Sequence, residues 1–493
     1  MNDTGKSEIK KFAFDVSLTF ISYIISIFSI FLIVMFIGRY LGPEDLGLYR
    51  IASTIYGITT LIFAIGMPTA IVKYIAEFKE NNQRLGEVIS CSIITSILLG
   101  SGAFIILFLL AGNIADIFKM PGLEHLIKLL SFVFPFSLSG LVLLGMLNGF
   151  RDMKKYALAV IIQNSLTMAL TVILIFSGYG VSGAVMGIVI STILGCLFTL
   201  YLSKKYLICL TFNSFIPTAK SMLIFGGQTS IGDLVNTNNF QPDIILVGIL
   251  LGAKEVGYYS VASGFSKFFR LVPNALKTIT YPATVEYWKI GNLRLLNKMI
   301  DKSMRYTAII SVLLALAIGF FAEPIVTIIF GIQFIDATLP LRILVIGMVI
   351  SGIFNSISSI LLGTGRADLG VKVNATGAIT NVLLCILLIP VLGIMGAAAS
   401  TAISLTVVSV MYVYFAHNLM HLKINFRLYI KMIAVILTVV LLSAFEIPKI
   451  YIYITGSVTL ILYSAIIFLF LLNKDEKDTF KTFVNSKLFH SRR

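Results

Sequence analysis

Apolar runs of about 20 residues recur from Phe12 to Leu472, each long enough to cross about 30 Å of hydrocarbon as a helix. No other feature of the chain restricts the fold so sharply. Within hydrocarbon every backbone N–H and C=O must be satisfied by the chain itself, which leaves helices or a closed barrel. Barrel strands read as short alternating segments, and the sequence has none. Composition agrees: 58% of residues are hydrophobic and only 12% charged, with a mean hydropathy of +0.96. A soluble domain carries roughly twice that charge. The fold class is therefore an all-α polytopic membrane protein.

Apolar runs bounded by charge, Gly and Pro predict about fourteen transmembrane helices. Their approximate spans are 12–38, 47–71, 88–111, 125–147, 156–177, 180–203 and 219–251. The series continues with 257–282, 305–330, 340–363, 370–390, 394–416, 428–446 and 449–473. The first run follows a basic stretch (Lys6, Lys10, Lys11), exceeds a signal-peptide core and lacks a small-x-small cleavage site, so it is expected to stay as a span. Cys91, Cys196, Cys209 and Cys385 lie apart, without metal-ligand spacing. They imply packing, with no disulfide framework and no metal site.

The connecting segments alternate in basic content. One set holds Lys73, Lys79, Arg84, Arg151, Lys154, Lys155, Lys204, Lys205 and many more; the other holds only Arg39, Lys119, Lys254 and Lys449. Basic loops stay on the cytoplasmic side, which predicts a multi-pass plasma-membrane protein with both termini cytoplasmic. The net charge of +15 is then a topological signal and an attraction to anionic membrane lipids, with no nucleic-acid partner implied. Connections of at most about twenty residues leave no room for a folded catalytic domain, and His125, His417, His421 and His490 stand apart. No enzyme is expected.

The chain repeats itself. IGRYLGPEDLGLYRIAS (37–53) returns 210 positions later as VGILLGAKEVGYYSVAS (247–263), matching at Gly38/Gly248, Gly42/Gly252, Gly47/Gly257 and Tyr49/Tyr259. GVSGAVMGIVIS (180–191) likewise matches GIMGAAASTAIS (393–404), and LNGFR (147–151) matches LGTGR (362–366). Two copies of six helices follow, facing the same way because six is even. The expected organisation is a cytoplasmic N-terminus (1–11), an N-lobe of helices 1–6 (12–205), a linker (206–218) and a C-lobe of helices 7–12 (219–418). Helices 13–14 (426–473) and a basic cytoplasmic tail (474–493) complete it. Parallel repeats of this kind place a substrate path at their interface, with rocking motions giving alternating access.

These motifs resemble the polysaccharide transporter family of the multidrug/oligosaccharidyl-lipid/polysaccharide (MOP) exporter superfamily. The resemblance covers nearly the whole chain, most specifically Asp243–Ser263. It implies a flippase that moves a polyprenyl-(pyro)phosphate-linked oligosaccharide from the cytoplasmic to the outer leaflet, for surface polysaccharide or glycan assembly. The expected partners are the lipid-linked substrate, membrane lipids and glycan-assembly proteins, and the expected state is a monomer. An ion-coupled multidrug exporter of the same superfamily is the alternative.

Charges inside apolar spans are costly and point to function. Lys267, Arg270, Asn274 and Lys277 recur at helical spacing on one face of the eighth predicted helix. Lys267, Arg270 and Asn274, with Arg50 of the second helix, are candidate ligands for a headgroup phosphate, which Arg can bind in a bidentate fork. Lys277 also reads as a snorkelling residue, and Arg50 equally as a structural one. Asp233, Asn236 and Asp243 share a face of the seventh helix, which Pro242 should kink or break. They are candidates for coupling to Na⁺ or H⁺, or, for Asp243, for a structural ion pair with Lys267. No resident cofactor is implied. For Glu323, beside Pro324, the sequence suggests no role.

Overall fold

A computed structural model describes residues 3–207, 215–235, 241–420 and 449–467. All regular structure among them is helical: α1 (Asp3–Leu41), α2 (Pro43–Ala64), α3 (Met67–Glu77), α4 (Asn82–Phe118), α5 (Pro121–Ser131), α6 (Phe134–Gly149), α7 (Met153–Leu174), α8 (Gly180–Ser203) and α9 (Phe215–Val235). The second half holds α10 (Pro242–Leu250), α11 (Ala253–Gly264), α12 (Ser266–Ile290), α13 (Leu293–Phe330), α14 (Thr338–Gly363), α15 (Ala367–Leu392), α16 (Ile394–Met420) and α17 (Lys449–Ile466). Among the described residues, 8 helical segments are long and apolar enough to cross a membrane, or 9 if α5 and α6, bent by 51°, form one span. One of the 8, Met153–Tyr206, is 54 residues long. At 1.5 Å per residue it exceeds two crossings of about 30 Å. Gly178 (φ 87) and Gly180 (φ 56) fold it back on itself. Gly187 then meets Thr171 and Gly195 meets Gln163, so α7 and α8 form an antiparallel hairpin. The predicted span 428–446 lies outside the described residues.

Several predicted spans are broken where the sequence reads as continuous. The 47–71 run divides at Ile65 and Gly66, both at positive φ, just ahead of Pro68 in the first turn of α3; a Cβ at Gly66 would overlap the carbonyl oxygen of Gly226 on α9. The 125–147 run divides at Phe132–Val133, just ahead of Pro135 in the first turn of α6. Within the 219–251 run α9 is described as far as Val235, and the left-handed Gln241 precedes a new helix that opens at Pro242, in keeping with the expected break. The 257–282 run divides at Phe265.

The chain gathers into two compact units. The first comprises Met1–Lys267, Val326–Pro340 and Asp368–Ser404. Its core is apolar, with Met67, Ile71, Ile75, Ile89 and Met146 almost fully buried against one another. Within it the repeated sequence acquires a physical meaning. Gly42 (φ 91) and Gly252 (φ 118) occupy the same left-handed-side conformation at the N-caps of α2 and α11. Side chains rarely adopt it. Gly47 and Gly257 serve a different purpose: a Cβ on Gly47 would overlap the Ala253 carbonyl, and one on Gly257 would overlap the Pro43 carbonyl. Pro43 and Ala253 are themselves equivalent positions, so the contact is reciprocal. A second exchange follows the same rule. Gly38 packs against Phe330, whose ring would lie 3.1 Å from an added Cβ, and Gly248 packs against Phe118 at 3.0 Å. Phe118 and Phe330 end α4 and α13.

The second unit comprises Phe268–Ile325, Leu341–Ala367 and Leu405–Arg493. Helix α13 kinks at Phe321 (φ −105, ψ 18), one turn before Pro324. Proline supplies no N–H to the preceding turn. There Arg342 of α14 donates from Nε to the carbonyl of Gly319 at 3.1 Å, and its charge interacts with Glu323. The unassigned carboxylate thus belongs to a buttress around a kink.

Candidate functional site

The start of α10 organises the polar centre of the first unit. Gln241 is left-handed (φ 44), Pro242 opens the helix and Asp243 lies in its first turn. A carboxylate there is favoured by the exposed N–H groups and the helix dipole. Tyr259 of α11 donates its hydroxyl to Asp243 Oδ2 at 2.6 Å, and Thr401 of α16 donates to the same oxygen at 3.3 Å. Tyr259 and Thr401 also lie 3.1 Å apart, oxygen to oxygen. Asn381 of α15 donates from Nδ2 to Thr401 Oγ1 at 3.1 Å, and the Cys385 thiol lies 3.9 Å from Asn381 Oδ1. Tyr259 and Cys385 are 0% exposed and Asn381 4%, whereas Asp243 and Thr401 are half-buried. Buried polar groups cost free energy unless paired, and these are paired with one another.

Arg50 reaches the same place from the other copy of the repeat. Its Nη2 donates to Gln241 Oε1 at 2.8 Å, and its charge interacts with Asp243. The guanidinium Nε is buried without a hydrogen-bond partner. The position equivalent to Arg50 is Ser260, 3% exposed and with an unpartnered hydroxyl. The position equivalent to Asp243 is Ile33, 3% exposed. Among the described residues the network therefore exists in one copy only, completed by an arginine from the other.

Of the residues singled out from sequence, Arg50 and Asp243 are brought together. Arg270 and Asn274 stand half-buried on α12 in the second unit. Asp233 lies on α9 and Lys267 at the start of α12, but their side chains, and all of Asn236, are outside the described residues. So is any Asp243–Lys267 pair; the described partners of Asp243 are Tyr259 and Thr401. Sequence reasoning passed over Tyr259, Asn381 and Thr401 as site residues. Tyr259 was visible as part of the repeat, whereas single Thr and Asn residues in apolar helices carry no pattern of their own.

The comparisons with known proteins meet this geometry. A family model described as polysaccharide biosynthesis protein matches residues 36–339, which include α2, α10, α11 and the break between them. The chain belongs to that family. The putative O-antigen transporter of Shigella flexneri is 21% identical over 374 residues, covering 75% of this chain and 88% of that protein. Among solved structures, the lipid II flippase MurJ in an inward closed conformation aligns with a TM-score of 0.72 at 17% identity, over 94% of this chain and 100% of that one. An inward-facing multidrug resistance MATE family transporter of the MOP superfamily aligns with a TM-score of 0.69 at 18% identity, over 80% and 94%. At such identities the structural likeness establishes the fold alone: a polytopic helical architecture.

Proposed function

We propose that this chain flips a polyprenyl-(pyro)phosphate-linked oligosaccharide from the cytoplasmic to the outer leaflet by alternating access. The observation that carries the reading is the family match across 36–339, joined to similarity with a putative O-antigen transporter over most of both chains. The repeat supports it as a frame: two equivalent hairpins meet at the reciprocal contacts of Gly47 and Gly257. Arg50, Lys267, Arg270 and Asn274 are the proposed headgroup ligands. Arg50 already spends one donor on a neutral side chain, Gln241, that a phosphate oxygen can replace.

Asp243 is the proposed coupling residue. The carboxylate, the Thr401 and Tyr259 hydroxyls and the interrupted backbone at Gln241 form an oxygen-rich set suited to H⁺ or Na⁺. Asp233 and Asn236 retain that role as proposals from the sequence. Cytoplasmic termini, a monomeric state and association with glycan-assembly proteins belong to the same reading.

Binding tests it. Purified protein should retain a short-chain polyprenyl pyrophosphate disaccharide, and Arg50→Gln should weaken retention by about tenfold or more, as expected for a lost charge-assisted contact. Gradient-dependent extrusion of organic cations from vesicles, without disaccharide binding, would instead establish the multidrug reading to which the fold also conforms.

A further inference from the structure

A second polar assembly lies at the opposite end of the α7–α8 hairpin from Gly178. The turn Arg151–Lys155 and the 3-10 turn Lys204–Tyr206 are some fifty residues apart in sequence, yet they converge on one carboxylate. Asp152 Oδ2 accepts the Tyr206 hydroxyl at 3.1 Å and lies 3.6 Å from the Lys155 ammonium and 3.9 Å from that of Lys205. Lys155 also donates to the Leu202 carbonyl at 2.9 Å, closing the end of α8. Beneath the cations, Phe150 and Tyr206 stack with ring centroids 4.0 Å apart, and Lys205 stands 4.5 Å over the Tyr206 ring. Arg151 is held at φ 56 and is exposed. Across the two turns Arg151, Lys154, Lys155, Lys204 and Lys205 stand against Asp152 alone, five cations to one carboxylate.

The surface leading away from this cluster is apolar and uncovered. Leu194, Leu197 and Tyr201 are 44%, 51% and 62% exposed and follow one another at three- and four-residue spacing on α8. Lys204, exposed, continues the same line past the helix end. An apolar stripe that runs out of the hydrocarbon and ends in clustered cations on an aromatic floor matches an amphiphile with an anionic head. Orientation of the chain in the membrane needs basic loops but does not need two distant turns tied to one carboxylate.

We propose that Arg151–Lys155 and Lys204–Tyr206 form a binding site for the phosphate headgroup of an anionic phospholipid, with an acyl chain along Leu194, Leu197 and Tyr201. The site is independent of the transport reading. Basic pockets between membrane helices bind such headgroups, at roughly fivefold in affinity per cation near an anionic surface.

Native mass spectrometry of the full-length protein in detergent tests this, with phosphatidylglycerol and phosphatidylcholine of matched chains as probes. The protein should retain phosphatidylglycerol in preference to phosphatidylcholine. The double variant Lys204→Gln, Lys205→Gln, which leaves the Lys155–Asp152 pair intact, should reduce that preference by about an order of magnitude. Lys220→Gln, at an exposed lysine of α9, should retain it. An unfolded variant is recognised by size-exclusion profile, in which case Lys204→Gln alone should show a smaller loss. Equal retention of both lipids, an unchanged preference in the folded double variant, the same loss in Lys220→Gln, or displacement of the lipid by excess inorganic phosphate would each overturn the proposal.

Discussion

Tyr259 shows how one position can carry two assignments. As part of the repeated turn it is paired with Tyr49, and both are buried, at 0% and 7% exposure. Only Tyr259 has a carboxylate within reach, because Ile33 stands where Asp243 would be needed for Tyr49. Hydrogen bonds to charged groups contribute about 1.5–3 kcal/mol, so Tyr259→Phe should lower stability by that order while Tyr49→Phe changes little. Thermal unfolding in detergent of the two variants checks this; equal losses would remove the special standing of Asp243. If Asp243 takes Na⁺, added Na⁺ should raise the unfolding temperature of the wild type and leave Asp243→Asn and Thr401→Val unmoved. Protection that persists in both variants would place the ion elsewhere.

At the scale of elements, glycine makes the sharpest expectations. An Ala at Gly47 or Gly257 must push α2 and α11 apart, since the obstruction is backbone that cannot rotate away. Overpacking of this kind typically costs about 1–3 kcal/mol. Gly57, also on α2, has nothing within 4 Å of an added Cβ. Gly57→Ala should therefore be neutral or stabilising by up to about 1 kcal/mol from helix propensity. Thermal melts of Gly47→Ala, Gly257→Ala and Gly57→Ala compare the three directly. Similar behaviour of all three would mean that the reciprocal approach does not hold the hairpins together. Arg342→Ala should cost about 1–3 kcal/mol by leaving the Gly319 carbonyl without its donor.

The same scale shows how much of the fold was legible. Helix existence was readable from apolar runs, and the repeat from Gly42, Gly47 and Tyr49 and their partners, because backbone geometry at those positions admits few residue types. Helix interruptions were readable only where a proline marked them, as at Pro242. The break at Gly66 carries such a mark in Pro68, but the close approach of Gly66 to Gly226, some 160 residues away, is encoded by no local pattern. Polarity alone drew attention to Asp243 and Arg50. Their meeting at Gln241 depends on the crossing of the two repeats, and Thr401 and Asn381 join from helices whose hydropathy conceals them.

For the whole molecule, equivalent segments of the sequence repeat meet through reciprocal glycines, and the departures from the repeat bring Arg50 to Asp243. That arrangement, in a member of the polysaccharide biosynthesis protein family, leads to the claim that the chain translocates a lipid-linked oligosaccharide. The most direct measurement is headgroup exposure in reconstituted vesicles. A fluorescent polyprenyl pyrophosphate oligosaccharide would be confined to one leaflet and its appearance at the other followed with a membrane-impermeant quencher. Wild-type protein should move the label well above the rate of protein-free vesicles, and the double variant Lys267→Gln, Arg270→Gln should reduce that rate by at least tenfold. A wild-type rate equal to that of protein-free vesicles would contradict the account; unchanged flipping by the double variant would remove those two residues from it.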